Sequence, residues 1–173
     1  GEHKAVLVDI VLSKNEQTLY GIKDLLFFYF EIEAKMEDNR PFRVRKKFTH
    51  SLNEKSNLYK FLTKWRGKPF TAGEEFDLNT LIGVGCTLEL ESFTPEGETK
   101  VIVYVDRARR LAKKDWIKAS GEYDGERVRE SIEKYKDTQP TEVVAPEPKA
   151  SPKPAKKAQA PKDDYDPNDD VPF

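Results

Sequence analysis

Residues 25–36 read Leu25-Leu26-Phe27-Phe28-Tyr29-Phe30-Glu31-Ile32-Glu33-Ala34-Lys35-Met36, and this stretch decides the fold class. Apolar residues recur along it at every second position, which is the side-chain period of a β-strand. One face of that strand would carry Leu26, Phe28, Phe30, Ile32 and Ala34. The other would carry Leu25, Phe27, Tyr29, Glu31 and Glu33. Because a wholly apolar face must pack against other apolar groups, the stretch predicts one strand of a sheet over a core.

Strands are also predicted on both sides of this stretch. The segment Lys4–Leu12 is rich in Val, Leu and Ile, and the polar residues 15–21 then predict a turn. A third strand is predicted for Phe42–His50, with Phe42, Val44 and Phe48 on its apolar face and Arg43, Arg45, Lys47 and Thr49 on its other face. Lys46 interrupts the apolar face, which predicts a bend or an edge position.

The sequence period changes after residue 57. Leu58, Phe61, Leu62 and Trp65 follow the i, i+3, i+4, i+7 spacing of a short amphipathic helix, which Gly67 and Pro69 would end. Residues 77–83 predict a second helical turn that begins at an Asp and ends at a Gly. The segments Cys86–Phe93 and Lys100–Asp106 resume the two-residue period around a turn and predict a hairpin.

Three strands, a helical insert and two more strands follow the element order of an OB-fold barrel. We therefore predict an all-β fold with a short helical insert: a five-stranded OB-fold barrel over residues 1–115, followed by a disordered C-terminal tail. An SH3-like barrel or a small sandwich would have similar periodicity. The helical insert between the third and fourth strands favours the OB-fold.

The predicted tail has three parts. Residues 116–137 are charged, and Gly125–Lys136 predicts a short helix with Val128, Ile132 and Tyr135 on one side. Residues 138–162 are rich in Pro, Ala and Lys and predict a disordered linker, because they cannot bury enough apolar surface to offset the entropy of ordering. Residues 163–173 form an acidic tip with five Asp and no basic residue.

Composition limits the class of function. Residues 1–120 contain 21 Lys and Arg against 18 Asp and Glu, so a basic-leaning body precedes the acidic tip, which suggests an anionic ligand for the body. The single cysteine, Cys86, allows no internal disulfide and fits a reducing compartment. The first residues lack the charge and apolar run of a signal peptide, and the apolar run 25–30 is too short to span a bilayer. We therefore expect a cytoplasmic protein with no membrane partner.

The last five residues, Asp169-Asp170-Val171-Pro172-Phe173, place an aromatic ring beside a carboxylate after a run of aspartates. A partner could hold the ring in an apolar pocket and the carboxylate with a basic side chain. This end resembles the acidic tip of bacterial single-stranded DNA-binding proteins. The resemblance implies an OB-fold body and a tip that docks on replication, recombination and repair proteins. A tail that serves only solubility is the alternative.

The body resembles a different group. Residues 58–68 and 76–83 are similar to small phage proteins that bind single-stranded DNA through an OB-fold and carry a host-like acidic tip. That resemblance implies a bacterial cell or a phage-infected host as the location. Because the barrel differs from the bacterial one, the bacterial tetramer is not implied, and homo-oligomerisation stays open.

Binding single strands without sequence preference requires cations along the phosphates and aromatic faces on which bases stack. The third strand carries cations at every second position, a spacing of roughly 6.5–7 Å, and this is close to the backbone repeat of an extended strand. The residues predicted for this surface are Arg40, Arg43, Arg45 and Lys47, with Phe27 and Tyr29 on the neighbouring strand. A solvated charged face is the alternative for the cations, and a second small core or an oligomer interface for Phe27.

Two further groups are predicted to extend the surface. Trp65 is predicted to lie in the core, with Lys64, Arg66 and Lys68 around it as a rim. The second group is a basic and aromatic cluster just after the last strand, containing Arg107, Arg109, Arg110, Lys113, Lys114 and Trp116. Tyr104 of the fifth strand is predicted to face the same groove.

No pattern indicates catalysis. His3, His50 and Cys86 stand alone, no metal-ligand spacing occurs, and residues 83–85 are too short for a phosphate-binding loop. We therefore predict a non-enzyme without metal or cofactor that binds and protects single-stranded DNA and recruits partner proteins through its tip. The alternatives are a tail mimic that competes for those partners without binding DNA, and a barrel that binds RNA or duplex DNA.

Overall fold

The computed structural model describes residues 1–138, so the acidic tip and all of the predicted linker except residue 138 lie outside the described residues. Its strands are β1 Glu2–Thr18, β2 Gly21–Lys35, β3 Pro41–Thr49, β4 Gly85–Phe93 and β5 Ile102–Arg110. Its helices are α1 Asn57–Arg66 and α2 Gly125–Thr138, with short 3₁₀ turns at Leu78–Leu81 and Lys113–Asp115.

The five strands form one antiparallel sheet in the order β3-β2-β1-β4-β5. Within residues 1–138 no strand ladder joins the two end strands, so closure of a barrel is not seen. A side chain nevertheless links them, because Lys46 Nζ donates a hydrogen bond of 2.6 Å to the carbonyl oxygen of Val105. Helix α1 packs against both end strands. The protein is therefore mostly β, with two helices.

The main core lies on one face of this sheet. The predicted inner face of β2 is confirmed, since Leu26, Phe28, Phe30 and Ile32 are all buried. The Phe28 ring meets the Phe48 ring edge-on at 5.2 Å, a favourable aromatic geometry. The α1 residues of the predicted apolar stripe, Leu58, Phe61, Leu62 and Trp65, complete this core.

Helix α1 forms over the predicted apolar stripe and ends at the predicted Gly67. The Ser56 hydroxyl accepts a hydrogen bond of 3.1 Å from the Tyr59 backbone N–H, which satisfies one of the free donors of the first turn. Gly67 follows the helix with a φ of 81°, a left-handed conformation that glycine adopts without steric cost.

Two strand boundaries differ from the prediction. The first turn lies within the predicted segment 15–21 but is shorter, at Leu19–Tyr20. β1 continues to Thr18, and the register shifts between Ser13 and Glu16, around Asn15 with its φ of 56°. These polar residues therefore mark an irregularity inside a hairpin.

The last strand, β5, runs to Arg110, and the prediction that Arg107, Arg109 and Arg110 follow the last strand is wrong. Ala108 between the arginines is fully buried, so the pattern is that of a half-buried strand.

The chain after β5 returns across the sheet face opposite the main core, and we call residues 111–138 the strap. Trp116 packs against Gly85 of β4. Further on, the predicted helix forms as α2, and its Val128 and Ile132 pack on a second apolar cluster made of Val11, Leu25 and Phe27. The outward face of the sheet is therefore covered along much of its width.

Candidate nucleic-acid interface

Phe27 lies beneath the strap. It is 7% exposed and belongs to the apolar cluster on which α2 packs. The guanidinium carbon of Arg45 lies 5.0 Å from the centre of its ring, which places a cation over the ring's remaining face. Phe27 therefore occupies the second small core, the alternative to base stacking, and it supports Arg45 from below.

Tyr29 is half-buried and meets a ring of the strap. Its centroid lies 5.6 Å from that of Tyr123, with the two planes tilted by 42°. The Tyr123 hydroxyl donates a hydrogen bond of 3.0 Å to Asp9 Oδ2, and burial together with this bond raises the pKa of Tyr123 above its ordinary value. The two tyrosines thus form one aromatic pair that joins β2 to the strap.

Two buried carboxylates fasten the strap to the sheet. Glu31 of β2 is 2% exposed and accepts hydrogen bonds from the backbone N–H and hydroxyl of Ser120 at 2.7 and 2.8 Å. Arg43 Nε lies 3.3 Å from the same carboxylate. Asp9 of β1 accepts hydrogen bonds of 2.8 and 3.0 Å from the two terminal nitrogens of Arg129. Because a buried carboxylate is costly without partners, these contacts stabilise the strap in its position on the sheet.

A cleft of about 590 Å³ opens between β3 and the strap, and we call it the arginine cleft. Four arginines line it: Arg40, Arg43, Arg45 and Arg127. Tyr29 and Tyr123 also line it, together with the carboxylates Glu122 and Asp124. Among the predicted residues, the cleft thus brings together Tyr29, Arg40, Arg43 and Arg45.

The cleft cations differ in how they are held. Arg40 pairs with Asp38 at 2.6 Å on the exposed β2–β3 turn, and this hydrogen bond holds the pKa of Asp38 below its ordinary value. Arg43 is shared between Glu31 and the Tyr123 ring, 5.7 Å from its centroid. Lys47 sits opposite Phe27 in the β2–β3 register, next to the cleft along the same strand face.

Sequence reasoning missed Tyr123 and Arg127. Arg127 is exposed near the start of α2, where the sequence shows only an ordinary charged helix face. Both residues join β3 only because the strap folds back across the sheet. A local pattern contains no signal for such a long-range return.

The second predicted cluster lies elsewhere. Arg107 pairs with Glu89 at 2.8 Å, and Arg109 pairs with Glu2 and Glu89 at 2.9 and 3.1 Å. These carboxylates offset the charge that the sequence suggested for this surface. None of the residues predicted for this cluster lines the arginine cleft: Arg107, Arg109, Arg110, Lys113, Lys114 and Trp116.

Two predicted aromatic residues outside the cleft have other contacts. Trp116 Nε1 donates a hydrogen bond of 2.9 Å to the Leu111 carbonyl, and the ring lies over Gly85. Tyr104 is exposed and meets Phe93 at 6.0 Å near the end of the β4–β5 hairpin. Neither residue contacts the aromatic pair of Tyr29 and Tyr123.

The predicted rim around Trp65 is present only in part. Lys64 and Lys68 are exposed, whereas Arg66 is 9% exposed and therefore not on a rim. Its guanidinium forms a two-pronged ion pair with Glu74 and lies 4.6 Å over the Phe70 ring. Arg66 thus anchors the loop after α1.

The Arg66–Glu74 pair predicts a pH effect. Hydrogen bonds from Arg66, and secondarily from the Thr71 backbone, lower the pKa of Glu74 from 4.5 to about 2. A lowered carboxylate pKa stabilises the fold above the unfolded-state value, and that contribution is lost as pH falls through the folded-state value. We expect Glu74→Gln to be less stable than the wild type at neutral pH, and the difference to close between pH 4.5 and about 2. Urea unfolding across this range measures it; a difference independent of pH would contradict the assignment.

No protein-family model matches this chain, and no curated protein matches it in sequence. Over residues 1–138, no helix is both long enough and apolar enough to cross a membrane. The same residues contain no group of three or more His, Cys, Asp or Glu side chains placed to hold a metal ion.

Proposed function

We propose that this protein binds single-stranded DNA without sequence preference, with the arginine cleft as its central site. The observation that carries the proposal is the convergence of four arginines on two half-buried tyrosines in one open cleft. Arginines can contact phosphates, and tyrosines can stack on bases of any sequence. We also propose that the sheet is an OB-fold barrel, supported by the strand order and by the Lys46 bond between its end strands.

The geometry suggests how a strand would lie. Arg43 and Arg45 project from β3 two residues apart, so an extended strand running along β3 would meet one cation for each phosphate. Arg127 faces them from the strap and would contact the opposite side of the same backbone. The carboxylates of Glu122 and Asp124 would repel phosphates, which confines the strand to the β3 side.

Fluorescence anisotropy with labelled oligo-dT, duplex DNA and RNA of equal length tests the proposal. We expect the single-stranded DNA to bind most tightly, and its affinity to fall steeply with salt because phosphate contacts release counterions. Preference for the duplex or the RNA would overturn the DNA assignment. Failure to bind any of the three would leave the tail-mimic alternative.

A matched pair of arginines on α2 separates binding from folding. Arg127 lines the cleft, whereas Arg129 pairs with the buried Asp9. We expect Arg127→Ala to weaken oligo-dT binding without changing the free energy of unfolding. We expect Arg129→Ala to lower that free energy by about 1–2 kcal/mol, because it leaves a buried carboxylate short of a partner. Equal effects of the two variants in both assays would show that the cleft assignment is wrong.

The acidic segment 163–173 lies outside the described residues, and we propose that it docks on replication, recombination or repair proteins. Its aspartates also carry the charge needed to compete with DNA for the arginine cleft. We therefore expect truncation after Lys162 to tighten oligo-dT binding at low salt, with the gain disappearing at high salt. Unchanged affinity at low salt in the same anisotropy assay would rule out this competition.

A further inference from the structure

The end of the β4–β5 hairpin exposes the densest group of large apolar side chains in residues 1–138. Five such residues are each between 37% and 57% exposed: Phe93, Val101, Ile102, Val103 and Tyr104. Isolated apolar residues on a surface are ordinary, but a contiguous group on a strand end marks an interaction surface. The arginine cleft uses none of these residues.

Both faces of this hairpin end are apolar. The register pairs Phe93 with Ile102 and places Tyr104 two residues further along the same outward face. Val103 pairs with Ser92 on the opposite face, which continues the core-facing side of the two strands. The core of the sheet can cover only one face of this hairpin end, so the apolar residues of the other face remain exposed.

The free edge of the ribbon belongs to β5. β5 is the last strand in the sheet order, and within residues 1–138 no ladder pairs its outer edge, although Lys46 of β3 bonds the Val105 carbonyl. Residues 101–104 are exposed and precede Val105 along this edge, where the described sheet has no further strand. An exposed apolar edge of this kind is a template for another strand.

The charges around the hairpin end disfavour nucleic acid as its occupant. Glu91, Glu96 and Glu98 surround the apolar group, against one cation, Lys100. Such a surface repels phosphates and instead fits a protein whose edge is apolar and whose flank is basic.

We propose that the occupant is a second copy of this chain, paired antiparallel through residues 101–104 at the start of β5. In an antiparallel pair the two loops point in opposite directions, so the acidic loop 94–100 of one copy would lie beside residues 107–110 of the other. Arg107 and Arg109 of that segment pair with Glu89 and Glu2 of their own chain and would meet the incoming carboxylates as well. The same arrangement places Ile102 and Tyr104 near their counterparts, and such pairs of β-branched and aromatic residues stabilise sheets. The chain thus provides both halves of a self-complementary surface.

The contact is small, so the dimer should dissociate on dilution. Four edge residues and five side chains offer less than the roughly 800 Å² per partner of a standard interface. We expect a dissociation constant on the order of micromolar, with weaker association at high salt.

Sedimentation velocity over a wide range of protein concentration tests the proposal. We expect the wild type to shift from monomer to dimer as concentration rises, and Val103→Lys to remain monomeric. The matched control is Ile22→Lys, which places the same charge on an exposed apolar residue of the β1–β2 hairpin and should dimerise like the wild type. Circular dichroism confirms that both variants fold. A monomeric wild type at all concentrations, or an unchanged dimer in Val103→Lys, would overturn the proposal.

Disulfide trapping locates the contact independently. The only native cysteine, Cys86, is fully buried, so one added cysteine at a time can be read cleanly. We expect mild oxidation to cross-link at least one variant among Val101→Cys, Ile102→Cys, Val103→Cys and Tyr104→Cys, and not Ile22→Cys. Cross-linking at none of the four positions would contradict the pairing. These outcomes do not depend on DNA binding, which the anisotropy assay measures separately.

Discussion

Replacing Arg45, Lys47 and Arg127 with alanine in one variant should weaken oligo-dT binding about tenfold or more at low salt. The three cations lie along β3 and on the facing strap, where an extended strand would make successive phosphate contacts. Each lost contact with a single strand removes about 0.7 from the slope of log affinity against log salt, so the slope should fall by about 2. Anisotropy titrations at several salt concentrations measure both quantities.

Circular dichroism and urea unfolding check that the variant folds, because Arg45 also lies over the Phe27 ring. Arg43 is left in place because it pairs with the buried Glu31, and its loss would confuse binding with stability. The matched control replaces the exposed lysines Lys55, Lys60 and Lys100, which changes the net charge by the same amount away from the cleft. If the control loses as much affinity and slope as the test variant, binding reflects total charge and the cleft is not the site.

Replacing Gly85 with valine should lower the free energy of unfolding by about 3 kcal/mol, at the upper end of the usual cost of overpacking. A Cβ at this position would lie 2.5 Å from Cγ and Cδ1 of the Trp116 ring. Valine suits a strand by propensity, so the sign of the effect is set by this collision. The displaced ring would also lose its hydrogen bond to Leu111. Urea unfolding followed by circular dichroism measures the change.

A double-mutant cycle isolates the collision. Trp116→Ala removes the ring, so Gly85→Val should cost far less in that background, with a coupling energy of about 1–3 kcal/mol. If valine costs the same with and without the ring, the strap does not cross the sheet at Gly85. Hydrogen exchange of the strap amides should rise in Gly85→Val and report the local release.

Much of the architecture could be predicted from short stretches of sequence. The alternation in residues 25–36 predicted β2 and its buried face, because side chains in a strand alternate between faces whatever the rest of the chain does. The apolar spacing and the glycine after α1 predicted that helix and its end for equally local reasons. Such signals act over a few residues, which is why these predictions are confirmed.

Local patterns were less reliable where a strand bends. Residues around Asn15 have the composition of a turn, but the pairing of β1 with β2 carries the strand through them as an irregularity. The arginines at the end of β5 were predicted to follow the last strand, yet the burial of Ala108 keeps them in the sheet. In both places the partner strand decided the structure.

The sequence by itself determined the strands, the helices, the basic face of β3 and the acidic segment after residue 162, since these depend on neighbouring residues. Only the tertiary structure decided which of those charges and rings meet. The strap covers Phe27 and supplies hydrogen-bond partners for the buried carboxylates of Asp9 and Glu31. It also places Tyr123 and Arg127 beside Tyr29 and β3. The hydrogen bonds to Glu31 and Asp9 join residues that are 89 and 120 positions apart, and their free energy comes from burial and pairing that exist only in the folded chain.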